Sequence, residues 1–178
     1  MIAQSLIDEL RSHHQTISFC ESLTAGLACA TVADIPGASD VLRGGLVTYS
    51  TDLKTSVAGV DPDVVSAHGV VSSQVAREMA RGARRVCGSD WAVALTGVAG
   101  PDDQDGVPAG TVWLGLAGPH WTASSPAADW VDPIHSRFAL ADSLDEPVRV
   151  LAGDRNTVRR LAVEAALSGV LRAVREQS

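Results

Sequence analysis

The stretch Thr16-Ile-Ser-Phe-Cys-Glu-Ser-Leu-Thr-Ala-Gly26 decides the fold. A short apolar run of β character stops at Glu21, and an Ala- and Leu-rich run over residues 22 to 33 reads as a helix beginning at Ser22. A strand feeding straight into a helix puts the first helical residues at the carboxyl edge of a sheet, where unpaired N–H groups and the positive end of the helix dipole face solvent. Open α/β sheets hold ligands at this edge. Glu21, Ser22 and Thr24 crowd it, and Ala25 and Gly26 add little bulk that would keep an anion away.

Upstream, Ile2, Leu6 and Leu10 recur every four residues among Asp8, Glu9 and Arg11, the pattern of an amphipathic helix and not of a signal peptide. Downstream, Asp34-Ile-Pro-Gly37 stops the second helix. Val41 to Thr48 reads as a strand in which Gly44 and Gly45 let a backbone or a ligand come close. Tyr49-Ser-Thr-Asp52 supplies caps for a short helix over residues 53 to 58, and Asp61-Pro62 opens another that ends at His68-Gly69. Ser72 or Ser73 caps a longer helix with Val75, Met79 and Val86 on one face.

Trp91 to Leu95 is a buried strand leading into Thr96-Gly-Val-Ala-Gly-Pro101, and Thr111 to Ala117 is its antiparallel neighbour across a long loop. Residues 118 to 146 are broken by Pro119, Pro126 and Pro133, with one strand expected over Ile134 to Leu140. Gly153-Asp-Arg-Asn-Thr157 precedes a last helix with Val158, Leu161 and Ala165 on one side. The alternation predicts an α/β protein: a three-layer α/β/α sandwich with a mixed, mostly parallel sheet of about five strands, one domain over residues 1 to 178.

A net charge of −7 argues against non-specific nucleic-acid binding, and the basic cluster Arg77, Arg81, Arg84 and Arg85 reads as a solvated helix face. No apolar run is long enough to cross a bilayer. Cys20, Cys29 and Cys87 match no zinc spacing and fit a reducing compartment, so the expected location is the cytoplasm. Asp102, Asp103 and Asp105 fail as a calcium loop, because Pro101 and Val112 stand where ligands belong. No metal or cofactor is expected.

Of the 14 basic residues 13 are Arg, and the one lysine, Lys54, follows the one tyrosine, Tyr49, by five positions. Arginine keeps its proton, whereas a desolvated lysine can become a neutral base. Lys54 is therefore either a base or a surface residue left by composition. Ser22 is either an N-cap or a nucleophile that attacks an acyl carbon, with Lys54 or Tyr49 taking its proton. The segment Thr96 to Gly100 is either a glycine turn or a backbone cradle for a phosphate.

Several blocks together resemble the CinA C-terminal domain family: Glu21-Ser-Leu-Thr-Ala-Gly26, Asp34-Ile-Pro-Gly37, Gly45-Leu-Val-Thr-Tyr-Ser50 with Lys54, His68-Gly-Val-Val-Ser72, Thr96-Gly-Val-Ala-Gly-Pro101, Ala109-Gly-Thr-Val112 and Gly153-Asp-Arg155. The resemblance implies the same α/β/α fold, a homo-oligomer with a dimer favoured, and hydrolysis of nicotinamide mononucleotide to nicotinic acid mononucleotide and ammonia in pyridine nucleotide salvage. It makes Ser22 the nucleophile and Lys54 and Tyr49 its activating partners. Glu21, Thr24, Gly26, Gly45, Thr96, Gly97, Ala99, Gly100 and Arg155 are the residues expected around the substrate. The chain departs from the family, which commonly has Cys and Gly where Leu23 and Ala25 stand, and glycine where Asp102-Asp103-Gln104-Asp105 stands. These departures leave two alternatives: a nucleotide-binding or regulatory module without turnover, or an amidase for another small carboxamide.

Overall fold

A computed structural model describes residues 1–140 and 147–177. Helix α1 (Ile2–Ser12) precedes the central strand β1 (Ile17–Glu21), helix α2 (Leu27–Ala33) and strand β2 (Leu42–Val47). Helices α3 (Thr51–Ser56), α4 (Pro62–His68) and α5 (Ser73–Cys87) lead to β3 (Trp91–Gly97), β4 (Val112–Ala117) and β5 (Thr122–Pro126). A hairpin of β6 (Ser136–Ala139) and β7 (Val148–Leu151) comes before the long helix α6 (Arg155–Glu176).

The main sheet has five strands in the order β2-β1-β3-β4-β5. β1 lies parallel to both β2 and β3, while β4 runs antiparallel to β3 and β5 antiparallel to β4. Four strands thus point one way and β4 the other, which is the mixed, mostly parallel sheet expected. The carboxyl ends of β1, β2 and β3 meet at one edge as a result.

Alternation along the central strands sends bulk to one face and small side chains to the other. Ile17, Phe19, Trp91, Val93 and Leu95 pack with Leu6, Leu10, Val32, Leu161 and Val170 of α1, α2 and α6. On the opposite face Cys20, Ala92, Ala94 and Ala117 meet Val75, Met79, Ala80 and Ala83 of α5. The small residues bring α5 close: a side chain at Gly115 would run into the Ala76 carbonyl, and one at Gly82 into that of Ala58. Helices on both faces complete the three layers.

Local expectations differ from the structure at several points: α3 spans Thr51–Ser56 where residues 53 to 58 were expected, and α6 begins at Arg155, inside the stretch expected to precede it. Helix α2 begins at Leu27, five residues later than expected, and Ser22 to Gly26 form a turn. Val86 is 54% exposed, because the end of α5 runs past the sheet. β5 and β7 were not marked by their composition; β5 is an edge strand, which tolerates the proline at its end. The strand expected over Ile134 to Leu140 is shorter, since Pro133 to His135 form a 3-10 turn. Part of the unread segment, residues 141 to 146, lies outside the described residues.

Candidate active site

The carboxyl edge carries a small cleft of about 180 Å³ lined by residues from four separate stretches: Ser22 and Leu23, Tyr49 with Lys54, Val70 with Val71, and Thr96 to Gly100. Arg155, Asp102 and Gln104 stand at its margin. Parallel pairing of β1 with β3 brings the first and last of these groups together, and the Ser22 N–H extends it by donating to the Leu95 carbonyl at 2.9 Å.

Ser22 does not cap α2. Glu21 does so from the strand end: its buried carboxylate accepts from the N–H groups of Gly26 at 3.1 Å, Ala28 at 3.0 Å and Cys29 at 2.9 Å. Three orphan donors at the helix start are satisfied in this way. The Ser22 hydroxyl is thereby left for another partner, and Lys54 Nζ donates to Ser22 Oγ at 3.0 Å. A second bond from Lys54 Nζ to the Thr48 carbonyl, 2.9 Å, fixes the amine.

Lys54 is 2% exposed, and the burial lowers its pKa. No carboxylate pairs with it among the described residues. The Cys20 thiol, the one charge-bearing group that acts on it appreciably, is itself pushed up to about 11 by burial and hydrogen-bonded with the Thr48 hydroxyl at 3.4 Å. Cys20 acts in the opposite direction and to a smaller extent, so burial sets the direction of the Lys54 shift.

Tyr49 is 54% exposed and stands across the cleft. Its hydroxyl accepts from Arg155 Nη2 at 2.8 Å, and Arg155 Nη1 donates to the Gly100 carbonyl at 2.9 Å. Tyr49 makes no hydrogen bond to Ser22 or Lys54 among the described residues. Lys54 is the group in contact with the serine.

The nine residues expected around the substrate divide. Thr96, Gly97, Ala99, Gly100 and Arg155 line the cleft with Ser22, Lys54 and Tyr49. Thr96 spends its hydroxyl on the Val70 carbonyl at 2.7 Å and ties the 70s segment to β3. Glu21, Thr24, Gly26 and Gly45 lie outside the cleft. Glu21 is occupied by its three amides, and Thr24 is wholly buried. Gly26 adopts φ +95° at the start of α2, and a side chain at Gly45 would strike the Cys29 sulfur. Gly26 thus serves the backbone turn into α2, and Gly45 the close packing of α2 on β2.

Ala25, where the family commonly has glycine, takes φ +51°, a left-handed conformation that costs a residue with a Cβ roughly 1–2 kcal/mol. Leu23 lines the cleft, as do Asp102 and Gln104, so the family departures border the site itself. The backbone N–H groups of Leu23, Ala99 and Gly100 have no protein partner among the described residues. Sequence reasoning missed Arg159, which holds the carbonyls of Leu23 and Thr24. Its spacing of four from Arg155, one helical turn, was the available signal. No group of three or more His, Cys, Asp or Glu is placed to hold a metal ion among the described residues.

Fold and site define the class: an α/β/α sandwich whose sheet edge presents a serine to a buried lysine. The chain belongs to the CinA C-terminal domain family, whose sequence model matches residues 1–128. A CinA-like protein of Frankia casuarinae is 42% identical over 143 residues, covering 80% of this chain and 33% of that protein. The chain spans about a quarter to a third of the length of the curated relatives it matches. Among solved structures, the competence damage-inducible protein A of Klebsiella pneumoniae superposes with a TM-score of 0.83 at 26% identity, covering 99% of this chain and 97% of that one. The competence/damage inducible protein CihA of Agrobacterium tumefaciens follows the same path, with a TM-score of 0.78, 28% identity and coverage of 98% and 93%. No described helix is long and apolar enough to cross a membrane.

Proposed function

We propose that the protein is a serine amidohydrolase that converts nicotinamide mononucleotide to nicotinic acid mononucleotide and ammonia. The observation that carries this reading is the 3.0 Å contact between Ser22 Oγ and the Nζ of a buried lysine that has no counter-ion among the described residues. A neutral Lys54 takes the hydroxyl proton as Ser22 Oγ bonds to the carboxamide carbon. The same amine returns the proton to the departing nitrogen, the C–N bond breaks, and ammonia leaves an acyl ester on Ser22. Water then attacks the ester carbon, losing its proton to Lys54; Lys54 passes that proton to Ser22 Oγ as the bond from the acyl carbon to Oγ breaks, and the acid leaves as its carboxylate.

The negative oxygen of each tetrahedral intermediate needs donors aimed at it. The N–H groups of Leu23, Ala99 and Gly100, which have no protein partner among the described residues, are candidate donors at the cleft. Arg155 at the open side suits a phosphate, and its present partners, the Tyr49 hydroxyl and the Gly100 carbonyl, are neutral and exchangeable. Asp102 at the margin favours a second reading, an amidase for a small carboxamide without a phosphate.

Ammonia release from nicotinamide mononucleotide and from phosphate-free carboxamides tests both readings, with the Ser22→Ala protein as the blank. Release from the nucleotide supports the first reading, and release only from the phosphate-free amides selects the second. Tight nucleotide binding with no release from any amide would make the chain a binding module.

A further inference from the structure

Helix α6 holds both walls of the cleft with two arginines one turn apart. Arg155 grips the far wall through Tyr49 and Gly100. Arg159 faces the near wall: its Nε donates to the Leu23 carbonyl and its Nη2 to the Thr24 carbonyl, both at 3.0 Å. These are consecutive carbonyls of the turn that carries Ser22. The turn is held from its other side by Glu21, which takes the amides of Gly26, Ala28 and Cys29.

A planar peptide turns as one body, so a carbonyl that is held also holds the amide on the opposite side of its plane. With Glu21 on the amides and Arg159 on the carbonyls, the turn has little freedom to pivot. Docking of α6 has its own support, because Leu161, Ala162 and Ala165 belong to the same core cluster as Ala28 and Val32. Arg159 has no carboxylate partner among the described residues. Its two forked donors are spent on the main chain instead, a geometry that a lysine cannot reproduce.

We infer that Arg159 is a positioning residue for the nucleophile: its guanidinium fork on the Leu23 and Thr24 carbonyls sets the turn so that Ser22 Oγ stays in reach of Lys54 Nζ. It acts through the backbone and not on the substrate. The inference rests on the amidase reading, so its test includes a reaction of Ser22 that needs no particular amide.

Wild type, Arg159→Gln, Arg159→Lys and Arg160→Gln are compared by the rate at which a small serine-directed fluorophosphonate labels Ser22, by kcat and KM, and by thermal melting. Arg160 is an exposed neighbour, and its loss matches the charge change. Displacement of a reacting atom by about 1 Å costs about 10²-fold. Arg159→Gln is therefore expected to lower labelling and kcat by about 10²-fold with KM within about twofold of wild type. Arg159→Lys recovers part of the loss, and Arg160→Gln behaves as wild type.

Wild-type labelling and kcat in Arg159→Gln, or a loss confined to KM, would overturn the inference. If Arg159→Gln does not fold, Arg159→Lys decides it, and a wild-type kcat there is contrary. Labelling of wild type at Ser22 without nucleotide turnover strikes the substrate assignment and leaves the Arg159 comparison standing on the labelling rate. Absence of Ser22 labelling in wild type overturns both.

Discussion

Ser22 and Ser72 both stand at the approach to a helix, and the protein uses them in opposite ways. Ser72 sits in extended backbone at the start of α5, accepts the Val75 N–H at 3.3 Å and donates to the Gly69 carbonyl at 2.9 Å. Ser22 satisfies no amide of α2, because the Glu21 carboxylate before it has taken three of them. A serine relieved of capping by its neighbour is free to face a lysine. One hydroxyl caps a helix; the other faces the Lys54 amine at the end of a strand.

Substitutions test that contrast, beginning with the largest effect. Ser22→Ala is expected to lower amide hydrolysis by on the order of 10⁴-fold or more while melting within about 1 kcal/mol of wild type, as no buried amide loses a partner. Substantial residual turnover would place the nucleophile elsewhere. Lys54→Arg keeps the charge and cannot be the base, so its activity is expected to fall nearly as far as that of Lys54→Ala. An Arg variant that works would remove Lys54 from proton transfer.

The pH profile sharpens the same point. Burial moves the folded pKa of Lys54 below the ordinary lysine value of about 10.4, so the neutral, active form builds up at lower pH than free lysine would allow. kcat/KM is expected to rise with pH through that lowered pKa and then level off. A rate that falls across the same range would require the protonated amine.

Glu21→Ala strands three amides at the start of α2 and should cost roughly 3 kcal/mol or more in denaturant unfolding, with activity falling as the Ser22 turn loosens. Ser72→Ala is its milder counterpart: a loss of about 1 kcal/mol at α5, with turnover unchanged. If Ser72→Ala instead abolished turnover, or Glu21→Ala melted like wild type, the division of labour between the two helix starts would be wrong. The smallest effect is expected at Ala25, where glycine removes left-handed strain but loosens the unfolded chain, leaving a gain of about 0.5 kcal/mol.

Much of the frame was legible because it depends on local pattern. The apolar runs at Ile17 to Glu21 and Trp91 to Leu95 are strands buried on both faces, and Pro62 and Gly69 mark helix ends where expected. The start of α2 was misread because Ser22 carries a cap signature, while the acceptor that satisfies the helix sits one residue earlier and reaches forward by its longer side chain. β5 lacks a dense apolar run because an edge strand need bury only part of its surface.

The site was legible where composition was sparing. Lys54 and Tyr49 are each the only residue of their kind, and both line the cleft with Ser22 and Arg155 although up to 133 positions separate them. Glycine was a poorer guide. Gly26 supplies a left-handed backbone at the start of α2 and Gly45 admits close packing by Cys29, and either leaves the same mark in sequence as room for a ligand. Arg159 was hidden because a main-chain carbonyl has no sequence signature, so its two partners became visible only once the turn was placed against α6.

Trapping the covalent intermediate tests the central claim most directly. Protein turning over nicotinamide mononucleotide is quenched in acid, and the peptide that contains Ser22 is weighed and fragmented. The account predicts an adduct on Ser22 with the mass of the substrate less ammonia, absent from Ser22→Ala. Hydrolysis that proceeds without any such adduct in wild type, or an adduct that persists on another residue when Ser22 is alanine, would contradict it.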